Sequence, residues 1–342
     1  MKKLIIYITL ITSLMACKKE NTNYKNTVMT NNKLTKDNYV ATMLKEIKHY
    51  PKEPFYYFHV GNSLCVYEIL VNDLPIRNSF KYEQLATPIY INMCILKSGK
   101  QKVTYRIYPA PAEFNGGKDV FDPETTFDVD VYFNDNARGL QLGEQTLITE
   151  YKIPTKIRMG GSNNDIAVKE FEGKGQKYYE HSFYFDAVVP YNNEGWCNGQ
   201  DLTKLNQKDL EKAVLNFYQK QWDIINNKKE DDLFSFLFQK EKEINQSEYN
   251  IEKDFKDNLE SILSAFTIND YKLQPIENYK VVFYGDGKMV SLELTSLETK
   301  FRKKSALWAK YKNENGNSAG EFRNYKLYLP QGKSLNELQI IR

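Results

Sequence analysis

Histidine is nearly absent from these 342 residues: His49, His59 and His181 are the only three, and none lies beyond position 181. No HExxH, GxSxG or P-loop pattern occurs, so the common metal-hydrolase, nucleophile-elbow and nucleotide-binding chemistries have no support in the sequence. Cysteine is scarce too, with four. Long apolar runs are missing. The strongest, Leu4 to Ala16, is shorter than the roughly 20 residues a membrane-crossing helix needs. An excess of one charge is missing as well: 47 basic against 44 acidic side chains leave a formal +3. That balance excludes a broad electrostatic partner such as nucleic acid, whose binding needs clustered positive charge.

What is present begins with MKKLIIYITLITSLMACKKE. Lys2 and Lys3 form a positive n-region, and the apolar run after them has the length of a secretory h-region. Leu14-Met15-Ala16-Cys17 resembles a bacterial lipobox, in which cleavage falls just before a lipidated cysteine; Met15 departs mildly from the usual small residue. The resemblance implies a signal peptide over residues 1–16, lipid attachment at Cys17 and a place in the cell envelope, bound to a membrane through the N-terminal lipid. The expected membrane is the outer one, with the protein facing the periplasm or the surface. Two or more acyl chains make such anchoring stable.

Residues 17–33 read as the lipidated cysteine and a polar, Asn- and Lys-rich tether. Residues 34–50 follow as an amphipathic helix, with Thr35 as its N-cap and Pro51 and Pro54 as its stop. Over 54–190 the apolar period is two: Cys65, Tyr67, Ile69 and Val71 share one side of LCVYEILVN, and PIYINMCILK, KVTYRIY, TTFDVDVYF, QTLITEYKI and YYEHSFYFDAVV are further strands. Strands without intervening helices predict an antiparallel β-sandwich. A loop at 191–206 leads to 207–342, where the period becomes 3.6. Asn206 caps a helix carrying Leu210, Val214, Phe217 and Ile225, DDLFSFLFQKEKEI is a second, and Phe255, Leu259, Ile262, Leu263 and Phe266 mark a third. Four strands after them predict an α+β domain with helices packed on a curved antiparallel sheet. The fold class expected is therefore mainly β plus α+β.

Two resemblances refine this. YEILVNDLPI with PIYINMCILKSGKQKVTYRIY resembles the jelly-roll, carbohydrate-binding type of β-sandwich; Gly99 matches the family's second turn, whereas Asn72-Asp73 replaces its Asn-Gly. The helices-then-strands order of the C-terminal half is similar to the nuclear-transport-factor-2-like cone, in architecture only. Enzymes of that fold commonly use Asp/His or Tyr/Asp pairs, and the missing histidine removes the first route.

Candidate sites are few. The acids Asp119, Asp122, Glu124, Asp128, Asp130 and Asp135 invite a calcium reading. In NDNARGLQLGEQ, however, Arg138 takes a ligand position and Gln145 stands where a bidentate Glu belongs, so no metal and no cofactor is expected. Asp128 and Asp130 read instead as a solvent-facing strand edge. With Cys17 lipidated, Cys65, Cys94 and Cys197 form an odd set, read as buried free thiols; the alternation of Ile89, Ile91, Met93 and Ile95 turns Cys94 away from Cys65. Aromatics reach 14%, and Trp196, Tyr191, Tyr56 and Tyr57 are the recognition candidates, because large rings give contact area at low entropy cost. The leading expectation is a non-catalytic module that binds a protein or glycan. The alternatives are an immunity-type lipoprotein that neutralises an antibacterial toxin, a surface glycan-binding protein, and an enzyme using a pocket in the C-terminal cone.

Overall fold

The computed structural model describes residues 33–135, 144–160 and 166–342. The lipobox, Cys17 and the tether up to residue 32 lie outside the described residues, as do positions 136–143 of the calcium-like segment. Residues 34–342 form one compact unit.

The chain enters through helix α1 (Tyr39–Glu46), shorter than the span predicted. Thr35 does not cap it directly. Thr35 and Asn38 exchange bonds, Thr35 N donating to Asn38 Oδ1 at 2.8 Å and Asn38 N to Thr35 Oγ1 at 3.3 Å, and this turn starts the helix three residues later. Ten strands follow: β1 (Phe55–Ser63), β2 (Cys65–Val71), β3 (Leu74–Ser79), β4 (Ile89–Tyr90), β5 (Gly99–Pro109), β6 (Thr126–Asn134), β7 (Thr146–Lys152), β8 (Thr155–Gly160), β9 (Ile166–Phe171) and β10 (Tyr179–Ala187). They pair antiparallel in the orders β4-β1-β6-β7 and β10-β5-β2-β3, while β8 and β9 pair with each other.

The two four-stranded sheets share one apolar cluster, as a sandwich requires. Phe127 of one sheet packs against Tyr67 and Tyr105 of the other, with centroids 5.2 and 5.1 Å apart, and Phe185 meets Tyr56 and Phe58. Each such ring withdrawn from water contributes about 2–3 kcal/mol. Asp128 and Asp130 do alternate with buried Phe127, Val129 and Val131, but β6 is an inner strand, so they lie on its outer face rather than at a sheet edge.

Two departures from period two have physical causes. The strand predicted through PIYINMCILK stops at Tyr90 and turns into a 3-10 segment, Asn92–Cys94. Asn92 makes the bonds a ladder would have made: its Oδ1 accepts from Tyr56 N at 2.7 Å, and its Nδ2 donates to the carbonyls of Pro54 and Ser247. The alternation that turned Cys94 outward therefore does not apply, and Cys94 is fully buried and free. Strand β2, in turn, is buried at every residue because the C-terminal half covers its second face. Lys303 Nζ lies 3.7 Å from Glu68 Oε2, and the Arg302 guanidinium stacks on Phe80 and Tyr108 at 3.9 and 4.4 Å.

Helices α2 (Gln207–Asn226), α3 (Glu230–Phe234), α4 (Phe238–Ser247) and α5 (Glu252–Thr267) precede strands β11 (Lys272–Leu273), β12 (Tyr279–Tyr284), β13 (Met289–Leu294), β14 (Trp308–Lys312), β15 (Ser318–Phe322), β16 (Leu327–Tyr328) and β17 (Gln339–Ile340). Asn206 caps α2 as its sequence suggests, Oδ1 accepting from the backbone of Lys208 and Asp209. The single helix predicted over DDLFSFLFQKEKEI is two, α3 and α4; Ser235 Oγ donates to Asp232 O where the first ends. The four strands predicted after the helices are seven, in two sheets, β12-β13-β16-β17 and β11-β14-β15. Strand β13 divides its second edge, giving Met289 and Val290 to β16 and Leu292–Leu294 to residues 304–306. The helices and β13 share a second apolar cluster, and α1 belongs to it: Tyr39 and Met43 are buried there beside Phe234 and Phe255.

Candidate interaction surfaces

The four aromatics read as recognition residues are all buried: Tyr56, Tyr57, Tyr191 and Trp196 are 3–5% exposed. They are not an exposed platform, and each has a local reason. Tyr57 lies on the outer face of β1 and stacks on Tyr132 at 5.7 Å beneath Tyr90. Tyr191 packs against Tyr249 at 5.6 Å, and burial pushes its phenol well up. Trp196 is a wedge in the seam between the strand and helix halves. The Arg342 guanidinium stacks 5.1 Å from its ring, and a Cβ on Gly285 would come within 2.6 Å of it, so only glycine, here at φ +61°, fits that turn. Arg342 in turn pairs with Glu243 at 2.9 Å, both 2–3% exposed at the side chain, and Glu243 also accepts from Gly195 N at 2.8 Å. The loop of 191–206 is thus packed along part of its length, not a free linker.

A second seam contact uses the turn that departs from Asn-Gly. Asn72 and Asp73 both take left-handed backbone, φ 51° and 59°, and Asp73 accepts from the opposing turn: Gly285 N to its carbonyl at 3.2 Å and Asp286 N to its carboxylate at 3.0 Å. Burial first, and then the neighbouring Asp286, raise the Asp73 carboxyl above its ordinary range, while the Asp286 amide opposes this. Cys197, read as a buried thiol, is exposed at this seam beside a 350 Å³ cleft. Cys65 is buried and free.

Trp196 also lines that cleft, and Tyr56 stands at the wall of a second depression. Where β1, β6, β7 and the end of β10 meet, Tyr56, Phe133, Ile148, Val188 and Pro190 line a 510 Å³ groove, within the range of ligand-sized pockets. The Tyr56 hydroxyl accepts from Val188 N at 2.7 Å and donates to Val188 O at 3.1 Å. Ser98 holds both backbone groups of Val189 in the same way. The strap after β10 is therefore fixed by two hydroxyls while the Val188 side chain stands 71% exposed. At the mouth are Asp186 and the exposed pair Lys52–Asp135, 2.8 Å apart.

The hairpin of β8 and β9 is the second unusual surface. Its strands pair with no other strand among the described residues. Ile157 (71%), Ile166 (57%), Met159 (49%) and Val168 (37%) are exposed on it, more apolar side chain on one small element than scatter accounts for. Lys156 and Arg158 alternate with Ile157 and Met159 as on any half-buried strand, and what distinguishes the hairpin is that it joins neither larger sheet among the described residues.

The enzyme reading has its counterpart in the C-terminal half. Tyr284 OH donates to Glu293 Oε1 at 2.5 Å, and Lys326 Nζ lies 3.7 Å from the same oxygen and donates to Ser291 Oγ at 3.3 Å. All three are nine-tenths or more buried, so their polar atoms face one another rather than solvent. Burial lowers the Lys326 ammonium, against the pull of Glu293, and raises the Tyr284 phenol. Among the described residues no three His, Cys, Asp or Glu side chains converge on one point where a metal could sit. Comparison with protein-family models, with curated proteins and with solved structures finds no match to this chain.

Proposed function

We propose that the protein is a lipid-anchored component of the bacterial cell envelope, held through Cys17 and most simply in the outer membrane, that binds another protein without chemically changing it. The observation that carries the binding part is the groove beside Val188: an apolar surface left open to water, on a strap whose backbone is pinned by Tyr56 and Ser98, with acids at its mouth. Such a surface costs free energy when uncovered, and a partner recovers it. The glycan reading loses the stacking platform proposed for it, since Tyr56 and Trp196 are buried.

The test is capture from envelope and neighbouring-cell extracts by residues 18–342, wild type against Val188→Asp. Val188 is 71% exposed, so the substitution leaves the fold intact. A single stoichiometric protein, lost with Val188→Asp, is the expected result, and a toxin in that place would make this an immunity-type lipoprotein. Capture of polysaccharide only, turnover of a glycan or ester, or a partner indifferent to Val188→Asp would each sink the proposal.

A further inference from the structure

The hairpin of β8 and β9 and the groove match each other in chemistry, and we infer that a second copy of the chain seats its hairpin in the groove of the first. The inference rests on the groove being a binding site, and it adds an occupant. The strand register places Ile157 and Met159 on one face of the hairpin, with Ala167 opposite Met159, and Ile166 and Val168 on the other. Each face also carries charge, Lys169 beside Ile157 on the first and Lys156, Arg158 and Glu170 beside Val168 on the second, so both present apolar side chains among cations. Within its own chain the hairpin packs at its base, through Phe171 on Phe121 and Tyr179, and leaves those four side chains exposed. The groove offers the counterpart in Tyr56, Phe133, Ile148 and Val188.

Charge points the same way. Lys156 and Lys169 make no ion pair among the described residues, and Arg158 shares Glu170 with Lys174, which leaves the hairpin cationic. At the groove Asp186 has no basic partner among the described residues, and Asp135 has only the exposed Lys52. Uncovered strand edges with apolar side chains are also an aggregation hazard. Since every copy carries one hairpin and one groove, a two-fold arrangement covers both pairs at once and closes the assembly at two. A protein partner then competes with the second copy for the groove.

Sedimentation velocity on residues 18–342 from about 1 to 200 µM tests this on the purified chain. Concentration-dependent dimers are expected, with Ile157→Asp/Val168→Asp on the hairpin and Val188→Asp in the groove each weakening association at least ~30-fold, as loss of a central apolar contact does. All three positions are exposed, so circular dichroism should match the wild type. The decisive sample mixes the hairpin variant with the groove variant. One intact hairpin and one intact groove remain between them, so heterodimers form although neither variant pairs with itself. A monomer throughout the range, dimers indifferent to the substitutions, or a mixture that stays monomeric overturns the inference. A monomer that still captures a partner through Val188 overturns it while leaving the proposed function standing.

Discussion

Replacing Arg342 by Met is expected to cost the fold about 3–5 kcal/mol, the range for stranding one member of a buried ion pair. Arg342 and Glu243 sit 2.9 Å apart with side chains 2–3% exposed, so water cannot replace the lost guanidinium. Four contacts go together: the pair itself, the bonds from Arg342 Nε to Met93 O at 3.1 Å and from its Nη1 to Ile341 O at 2.6 Å, and the stack on Trp196. Glu243 keeps the Gly195 amide and the Gln239 side chain, which hold its carboxylate in place and make its desolvation harder to escape. Thermal denaturation followed by circular dichroism should show a midpoint lower by on the order of 10 °C. Adding Glu243→Leu should return part of the loss, because the stranded charge disappears with it. A single variant within about 1 kcal/mol of wild type would mean that Glu243 finds water or another partner once the guanidinium is gone, so that no charge is stranded.

The second large effect is expected in alkali. Burial pushes the Tyr218 phenol up to about 12 from its ordinary 10, with bonds from Ser291 and Leu292 opposing; burial raises Tyr39 and Tyr284 further, helped by the charges of Glu241 and Glu293. The sign follows from the protons. Above pH 10 the unfolded chain releases these phenolic protons while the folded chain keeps them, so stability present in full below pH 10 is lost as pH rises through that point. At pH 11 these three tyrosines together remove on the order of 4 kcal/mol, a large part of a typical domain's stability. Lys326 works the other way, since its lowered pKa favours the folded chain as pH rises toward 10.5, but it is one group against several. Tyrosinate absorbance at 295 nm from the buried rings should therefore appear in one step with the loss of the circular dichroism signal. Full ionisation near pH 10 with a native spectrum would contradict the burial described for Tyr39, Tyr218 and Tyr284.

Elements whose pattern is local were legible in the sequence. Asn206 announces α2 by its own hydrogen bonds, and Phe127, Val129 and Val131 announce β6 by alternation. What stayed hidden depends on partners far along the chain. Asn92 ends a strand because of Ser247, 155 residues on, and β2 is buried on both faces, with Lys303 reaching its Glu68 from far along the chain. The burial of the recognition candidates was hidden for the same reason: a large ring in a glycine-flanked loop looks exposed until Arg342 and Gly285 close around Trp196. The groove was half legible, through Tyr56. The hairpin was not, because isolation from a sheet leaves no trace in a six-residue strand.

Helix α1 has a consequence for the order in which the molecule can be assembled. Its Tyr39 hydroxyl donates to Glu241 Oε2 at 2.7 Å, and Lys48 N donates to Gln246 Oε1, contacts that span 202 and 198 residues. The ten strands described between Phe55 and Ala187 are looped out between these ends. Closing so long a loop is slow, so the strands have time to pair while the first helix waits for a docking site that lies beyond them in the chain. The half beginning at residue 207, produced alone, lacks the ring that packs edge-on against Phe234 at 5.8 Å. A separate peptide covering 34–50 would then act toward that half as a ligand, and the chain can be regarded as carrying this ligand at its own leading end.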